Sequence, residues 1–169
     1  NHSTGFKNRT LYTLEEQSNS NELSFDYNDV TLSLFQTDVG DLNTDGIELS
    51  YNVDNFTIYG SHLNSKKNNT LQLRRPEWTL GVNHNTLLSD DFQLVTSYKF
   101  VGDHLDIHNS DWTTITMPET HLLDLGITKN YWGYELGLNI NNVLDEDYEA
   151  PHGFNQNGRS LSFIFKRTF

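Results

Sequence analysis

The residues best equipped for chemistry lie close together in "GDHLDIHNSDW", where His104 and His108 stand four apart among Asp103, Asp106 and Asp111. Carboxylate oxygens and imidazole nitrogens together are donors for a divalent cation. Histidines at i and i+4 converge on one ion only when they ride a helix, and this stretch reads as a loop, so no metal is assigned to it and no cofactor is expected. A second candidate is "LRRP", which sets Arg74 beside Arg75. A guanidinium is planar and offers several donors, which suits phosphate, carboxylate and amide oxygens. Neighbours on an extended chain point to opposite sides, so only one of the pair can face a given ligand. Ser, His and Asp are scattered without a nucleophile elbow or comparable signature, and bond-making catalysis is not expected. Asn8-Arg9-Thr10, Asn55-Phe56-Thr57 and Asn68-Asn69-Thr70 match glycosylation acceptors. An Asn-rich chain produces such triplets by chance, and Asn55 falls in a tight turn.

The elements that must position these residues are strands. Nine runs alternate with period two: 23–27, 30–34, 47–53, 56–61, 78–83, 92–100, 123–128, 134–141 and 161–169. Leu23, Phe25 and Tyr27 oppose Ser24 and Asp26, and the last run sets Leu161, Phe163, Phe165 and Phe169 against Ser160, Ser162, Lys166 and Thr168. Tyr59 and Val95 fall on the polar side of their runs and break the pattern. Each run has one apolar face and one polar face.

Composition narrows the classes. The 169 residues carry 11 Lys and Arg against 23 Asp and Glu, a formal net charge of −12, which argues against nucleic acid as a partner. No apolar run is long enough for a membrane helix. A membrane barrel remains open, because its strands show lipid only every second residue and mean hydropathy stays low. There is no Cys, hence no disulfide and no thiolate metal site. The chain starts at Asn1 with no leader, and so reads as mature or as part of a longer protein.

Connection lengths add a second signal. The links near 28–29, 54–55, 86–91 and 130–133 are short, those near 40–45, 64–76, 101–119 and 142–158 are mostly long and polar, and the two kinds alternate. Short turns at one end and long loops at the other is outer-membrane barrel topology. A soluble sandwich also has alternating strands, but its physics does not sort loops by end. Trp78, Tyr131, Trp132 and Tyr134 lie near strand ends, where they are interfacial girdle aromatics in a barrel or core aromatics in a sandwich. Bacterial single-chain barrels have an even strand count, so nine strands suggests the tail of a larger one.

The segment "INNVLDEDYEAPHGFNQNGRSLSFIFKRTF" carries a resemblance that spacing alone does not supply. Asn142, Asp145 and Tyr148, the pair Gly153 and Phe154, Gly158-Arg159, an alternating strand and the terminal Phe169 resemble the closing segment of TonB-dependent outer-membrane receptors. Within that family the chain is most similar to the cobalamin (vitamin B12) receptor branch, in the run Asp145 to Phe169, in Leu73-Arg74-Arg75 and in Glu16, Ser18 and Glu22. It departs at Glu15, where Pro is usual, and at Arg167, where an aromatic or apolar residue is usual. The resemblance implies an all-β, transmembrane antiparallel barrel of which residues 1–169 are the C-terminal portion, with the plug domain, the TonB box and the earlier strands absent. It implies an integral protein of the bacterial outer membrane, not an enzyme, that imports a corrinoid or a ferric siderophore with energy delivered by TonB. Lipid, lipopolysaccharide and the barrel assembly machinery would be further partners, the last reading Phe169. Loops 64–76, 101–119 and 142–158 would face outside, with Arg74 contacting ligand, Arg75 at the rim, Asn109 nearest a second contact position and Trp112 a stacking residue. Read from the residues alone, a soluble β-sandwich carbohydrate-binding module and a passive porin or barrel enzyme stay open beside this.

Overall fold

Alternation of this kind hydrogen-bonds a strand to neighbours on both edges while offering each face a different solvent. The computed structural model, which describes residues 2–7 and 16–167, has that arrangement. Its strands are β1 (His2–Lys7), β2 (Glu16–Tyr27), β3 (Val30–Val39), β4 (Leu42–Val53), β5 (Phe56–Lys67), β6 (Thr70–Leu71), β7 (Trp78–Ser89), β8 (Phe92–Val101), β9 (His104–Ile107), β10 (Thr114–Met117), β11 (Thr120–Tyr131), β12 (Tyr134–Asn141) and β13 (Ser160–Arg167). One antiparallel sheet runs in the order β1-β2-β3-β4-β5-β7-β8-β11-β12-β13, with β6 paired to β5, and β9 and β10 form a separate hairpin. No helix occurs among the described residues.

Register makes the two faces continuous. Val30, Tyr51, Ile58, Val82, Tyr98 and Leu123 lie opposite one another across six strands, an apolar row. On the other face Ser24, Ser33, Glu48, Ser61 and Thr79 form a polar row. Cross-strand hydrogen bonds knit that face, among them Ser24 Oγ to Ser33 Oγ at 2.8 Å, Thr31 to Asp26 at 2.7 Å and Ser97 to Asn83 at 2.8 Å. There is almost no protein core. Met117 is the one buried hydrophobic side chain among the described residues, whereas Leu23, Phe25 and Phe163 are more than half exposed. A single sheet with one apolar face left uncovered is the pattern of a barrel wall, whose outer face is apolar and inner face polar.

The two exceptions to parity stay on the polar face, and one has a clear packing reason. Tyr59 lies over its direct partner Gly81, as Phe35 lies over Gly46. A Cβ on either glycine would run into the ring, so glycine is what lets an aromatic lie flat on a sheet.

Two expectations change. Among the described residues the sheet path has ten strands where nine were expected, because β1, with the sequence HSTGFK, pairs with β2 without any alternation of its own. The argument from an odd count therefore falls. The link at 40–45 is a two-residue turn at Gly40 and Asp41, and Leu42 with the polar residues 43–45 begins β4, held by Asn43 to Asp38 and by Thr44 to Ser65 at 2.8 Å. The other three long connections hold, at 68–77, 102–119 and 142–159, and all leave the same end of the antiparallel sheet. Small strands β6, β9 and β10 form inside the first two of them.

The aromatics gather at strand ends. At the short-turn end the Tyr131 and Trp132 rings stack at 5.3 Å, and Tyr134 stacks on Phe165 at 5.2 Å. Arg167 lies over the Tyr134 ring at 5.7 Å, a contact that lets a cation sit among girdle aromatics. Trp78, beside His62 at 4.5 Å, marks the long-loop end. Phe169, Glu15 and the triplet at Asn8 lie outside the described residues.

Candidate ligand site at the long-loop end

"LRRP" does not open a strand. Arg74 sits in a turn with φ of 59°, in the left-handed region, so the rule that extended neighbours point to opposite sides does not apply to it. Its amide donates to the Leu105 carbonyl at 2.6 Å, and its Nε donates to Asp106 Oδ1 at 2.7 Å. The same Oδ1 accepts from the Ile107 amide at 2.7 Å, and Oδ2 accepts from the His152 amide at 2.8 Å. Asp106 is 0% exposed, and its partners come from all three long connections.

Burial by itself pushes the Asp106 carboxyl up. The His152 amide, the Arg74 guanidinium and the Ile107 amide more than offset this and hold it at about 2, below the ordinary 3.8. A folded-state value below the unfolded one stabilises the loops fully above the unfolded value, and that contribution is lost as pH falls through the folded value, here about 2. A spin label at Ser110 should therefore keep constant mobility from neutral pH down to about pH 4 and loosen only in stronger acid. Loosening between pH 7 and pH 5 would contradict the assignment.

His104 and His108 do not ride a helix, but the stretch read as a loop contains a short strand. His104 and His108 bound β9, and His104 Nδ1 lies 3.3 Å from the Gly102 carbonyl. The His108 ring lies tilted against His152 of the next loop, with centroids 4.8 Å apart, and its Nδ1 is 3.0 Å from Asp111. Among the described residues no group of three or more His, Asp or Glu is arranged to hold a metal ion.

Beneath these loops, on the polar face of β8 and β11, is a groove of about 470 Å³ lined by Arg74, Lys99, His104, Leu122, Tyr148 and Gln156, among others. Arg75 lines a separate cleft of about 190 Å³ with Glu77 and Trp78. Asn109 and Trp112 are not in the groove lining. The Asn109 side chain packs against Gly153, and Trp112, at φ 62°, is 78% exposed on the β9–β10 connection. Of the residues expected to meet ligand, the structure thus brings Arg74 to the groove, together with Tyr148 from the C-terminal motif. Lys99 was missed, although its polar-side parity could have revealed it. Asp106 and His152 gave no sequence signal as a pair.

By sequence, no family model and no curated protein matches the chain. By structure it is similar to the pyoverdine outer-membrane receptor FpvA of Pseudomonas aeruginosa, with a TM-score of 0.82 at 13% identity over 99% of this chain and 33% of that one. The ferric-catecholate import receptor Fiu of E. coli gives 0.72 at 14% identity over 89% of this chain and 27% of that one. The siderophore receptor PirA of Acinetobacter baumannii gives 0.71 at 13% identity over 92% and 32%. The fold matches the C-terminal barrel part of TonB-dependent receptors. The chain spans about a quarter to a third of the length of these structures.

The residues that carry the resemblance to such receptors staple the last barrel loop of this chain. Asn142, 5% exposed and at φ 52°, donates from Nδ2 to the carbonyls of Glu146 at 2.8 Å and Asn157 at 3.3 Å, and its Oδ1 accepts from the Glu146 amide at 2.9 Å. Its own amide donates to Asp124 on β11 at 2.8 Å. Asp145 Oδ1 accepts the Arg159 amide at 2.9 Å, with Arg159 Nη2 3.6 Å from Oδ2 and Gly158 packed alongside. The two ends of loop 142–159 are thereby joined. Tyr148 accepts the Gln156 amide at its carbonyl at 2.9 Å, and Phe154 is exposed beside Gly153.

Proposed function

We propose that this chain is the C-terminal barrel wall of a TonB-dependent outer-membrane import receptor whose ligand is an anionic, oxygen-rich ferric chelate of the siderophore type. The observation that carries the reading is the groove between the polar sheet face and the long loops, which holds two cations, Arg74 and Lys99, against one carboxylate, Glu149, whose Oε2 is taken up by His152 Nδ1 at 2.8 Å and the Gly153 amide at 2.7 Å. A guanidinium and an ammonium suit the anionic oxygens of such a chelate. The iron-chelate function of the structural neighbours supports the same class. On this reading the apolar face is solvated by outer-membrane lipid and the three long loops face outside. TonB acts through parts of the receptor beyond this chain, and no bond of the ligand is broken. Cobalamin is the second reading, favoured by the sequence resemblance over Asp145 to Phe169 and by the Leu73-Arg74-Arg75 run.

Equilibrium binding to the full-length receptor, with a panel of ferric siderophores and cobalamin, tests both. Arg74→Ala should weaken binding by roughly 1.5–3 kcal/mol, the range for a lost charge-assisted hydrogen bond, and Arg75→Ala much less. Lys99→Ala, which leaves Asp106 and its partners untouched, should shift affinity in the same direction as Arg74→Ala. Cobalamin binding without chelate binding would transfer the site to the corrinoid, and unchanged affinity in both Arg74→Ala and Lys99→Ala would remove it.

A further inference from the structure

The three long connections are separated by whole β-hairpins, and each could in principle move alone. Asp106 argues otherwise. Its two carboxylate oxygens are the meeting point of donors from 68–77, 102–119 and 142–159, and no part of it reaches solvent. The middle loop also has contacts of its own with each of the other two. The Arg74 amide bonds to Leu105, the His108 ring lies tilted against His152, and Asn109 packs against Gly153. The loop end is built as a clasp with one buried anion at its centre.

We infer that Asp106 is a positioning residue that locks the three long loops into one body and holds the Arg74 guanidinium at the groove. The locked body cannot admit ligand by folding back a single loop, so entry and release require the three to move together against the sheet. Arg74 has a double duty, since its Nε is committed to Asp106 while its side chain remains 58% exposed along the groove. The consequence at the groove rests on the proposed function, whereas the locking itself does not.

Amide hydrogen exchange of the unliganded full-length receptor tests the locking without any ligand. Asp106→Asn keeps the size of the side chain but has only one acceptor oxygen, so either the His152 amide or the Arg74 and Ile107 donors must meet an NH₂ group. Exchange should rise by roughly ten- to a hundred-fold in segments 70–77, 104–117 and 148–156 together, with the long strands of the main sheet unchanged. Arg74→Leu removes one partner from outside and should speed exchange in 104–117 and 148–156 as well as around itself. It also serves if Asp106→Asn fails to assemble. The double variant should be no looser than Asp106→Asn alone, because both changes break one unit. A rise confined to 104–117, no rise, or additive effects in the double variant would each overturn the inference.

Discussion

Phe163→Arg is expected to cost roughly 2–4 kcal/mol of folding stability in a bilayer, while Ser162→Arg on the next residue should be tolerated. Phe163 lies in the middle of β13, opposite Leu138 on β12, and is 76% exposed on the apolar face. Hydrocarbon there cannot solvate a guanidinium, and mid-strand the side chain is too far from either interface to reach water easily. Ser162 lies opposite Asn139 on the polar face, where water or other polar groups can hydrate a charge. Leu138→Arg and Asn139→Arg should repeat the contrast on the neighbouring strand. Urea titration of the full-length protein refolded into liposomes measures all four. Equal penalties on the two parities would mean that the apolar face does not meet lipid, and the soluble sandwich would return as the better account.

Asn142→Ala should be the most damaging single change in the loops, at about 2–4 kcal/mol. Two causes combine. The substitution strips the side-chain partners from the Glu146 amide and the Glu146 and Asn157 carbonyls in a buried spot, and it places a β-carbon residue other than Asn in the left-handed region. Asn142→Gly separates them. It loses the same hydrogen bonds but accepts φ 52°, and should recover roughly 1 kcal/mol of the loss. Protease sensitivity of loop 142–159 in the intact receptor reports the order directly, wild type most resistant, then Asn142→Gly, then Asn142→Ala. If Gly and Ala behave alike, the backbone carries none of the cost.

These two cases differ in how far the amino-acid sequence reached. The face of Phe163 followed from period two alone, because a strand sends successive side chains to opposite sides wherever it lies in the fold. The turns at Asn28-Asp29 and Asp54-Asn55 and the sorting of short and long links by end were local in the same sense, and the structure keeps them, apart from the link at 40–45. What failed was patterning where no apolar face is needed. Residues 43–45 and His2–Lys7 are strands through backbone pairing with a neighbour, and stretches without an apolar face leave no alternation to read. The placement of Tyr59 required knowing that Gly81 lies across from it, which only register provides.

The loops were the least legible part. Asp106 stood in plain view among histidines and acids, a set of metal donors to which no metal was assigned. Its actual partners are Arg74, 32 positions earlier, and His152, 46 positions later, brought together by strand pairing. Arg74 in turn escaped the parity rule because one left-handed residue ends the extended geometry on which that rule depends. Sequence by itself therefore determined which side of the sheet is apolar and which is polar, since that choice is written into neighbouring residues. Only the tertiary structure decided what the loop residues do, because a buried carboxylate takes its meaning from donors that the fold, and not the chain order, delivers to it.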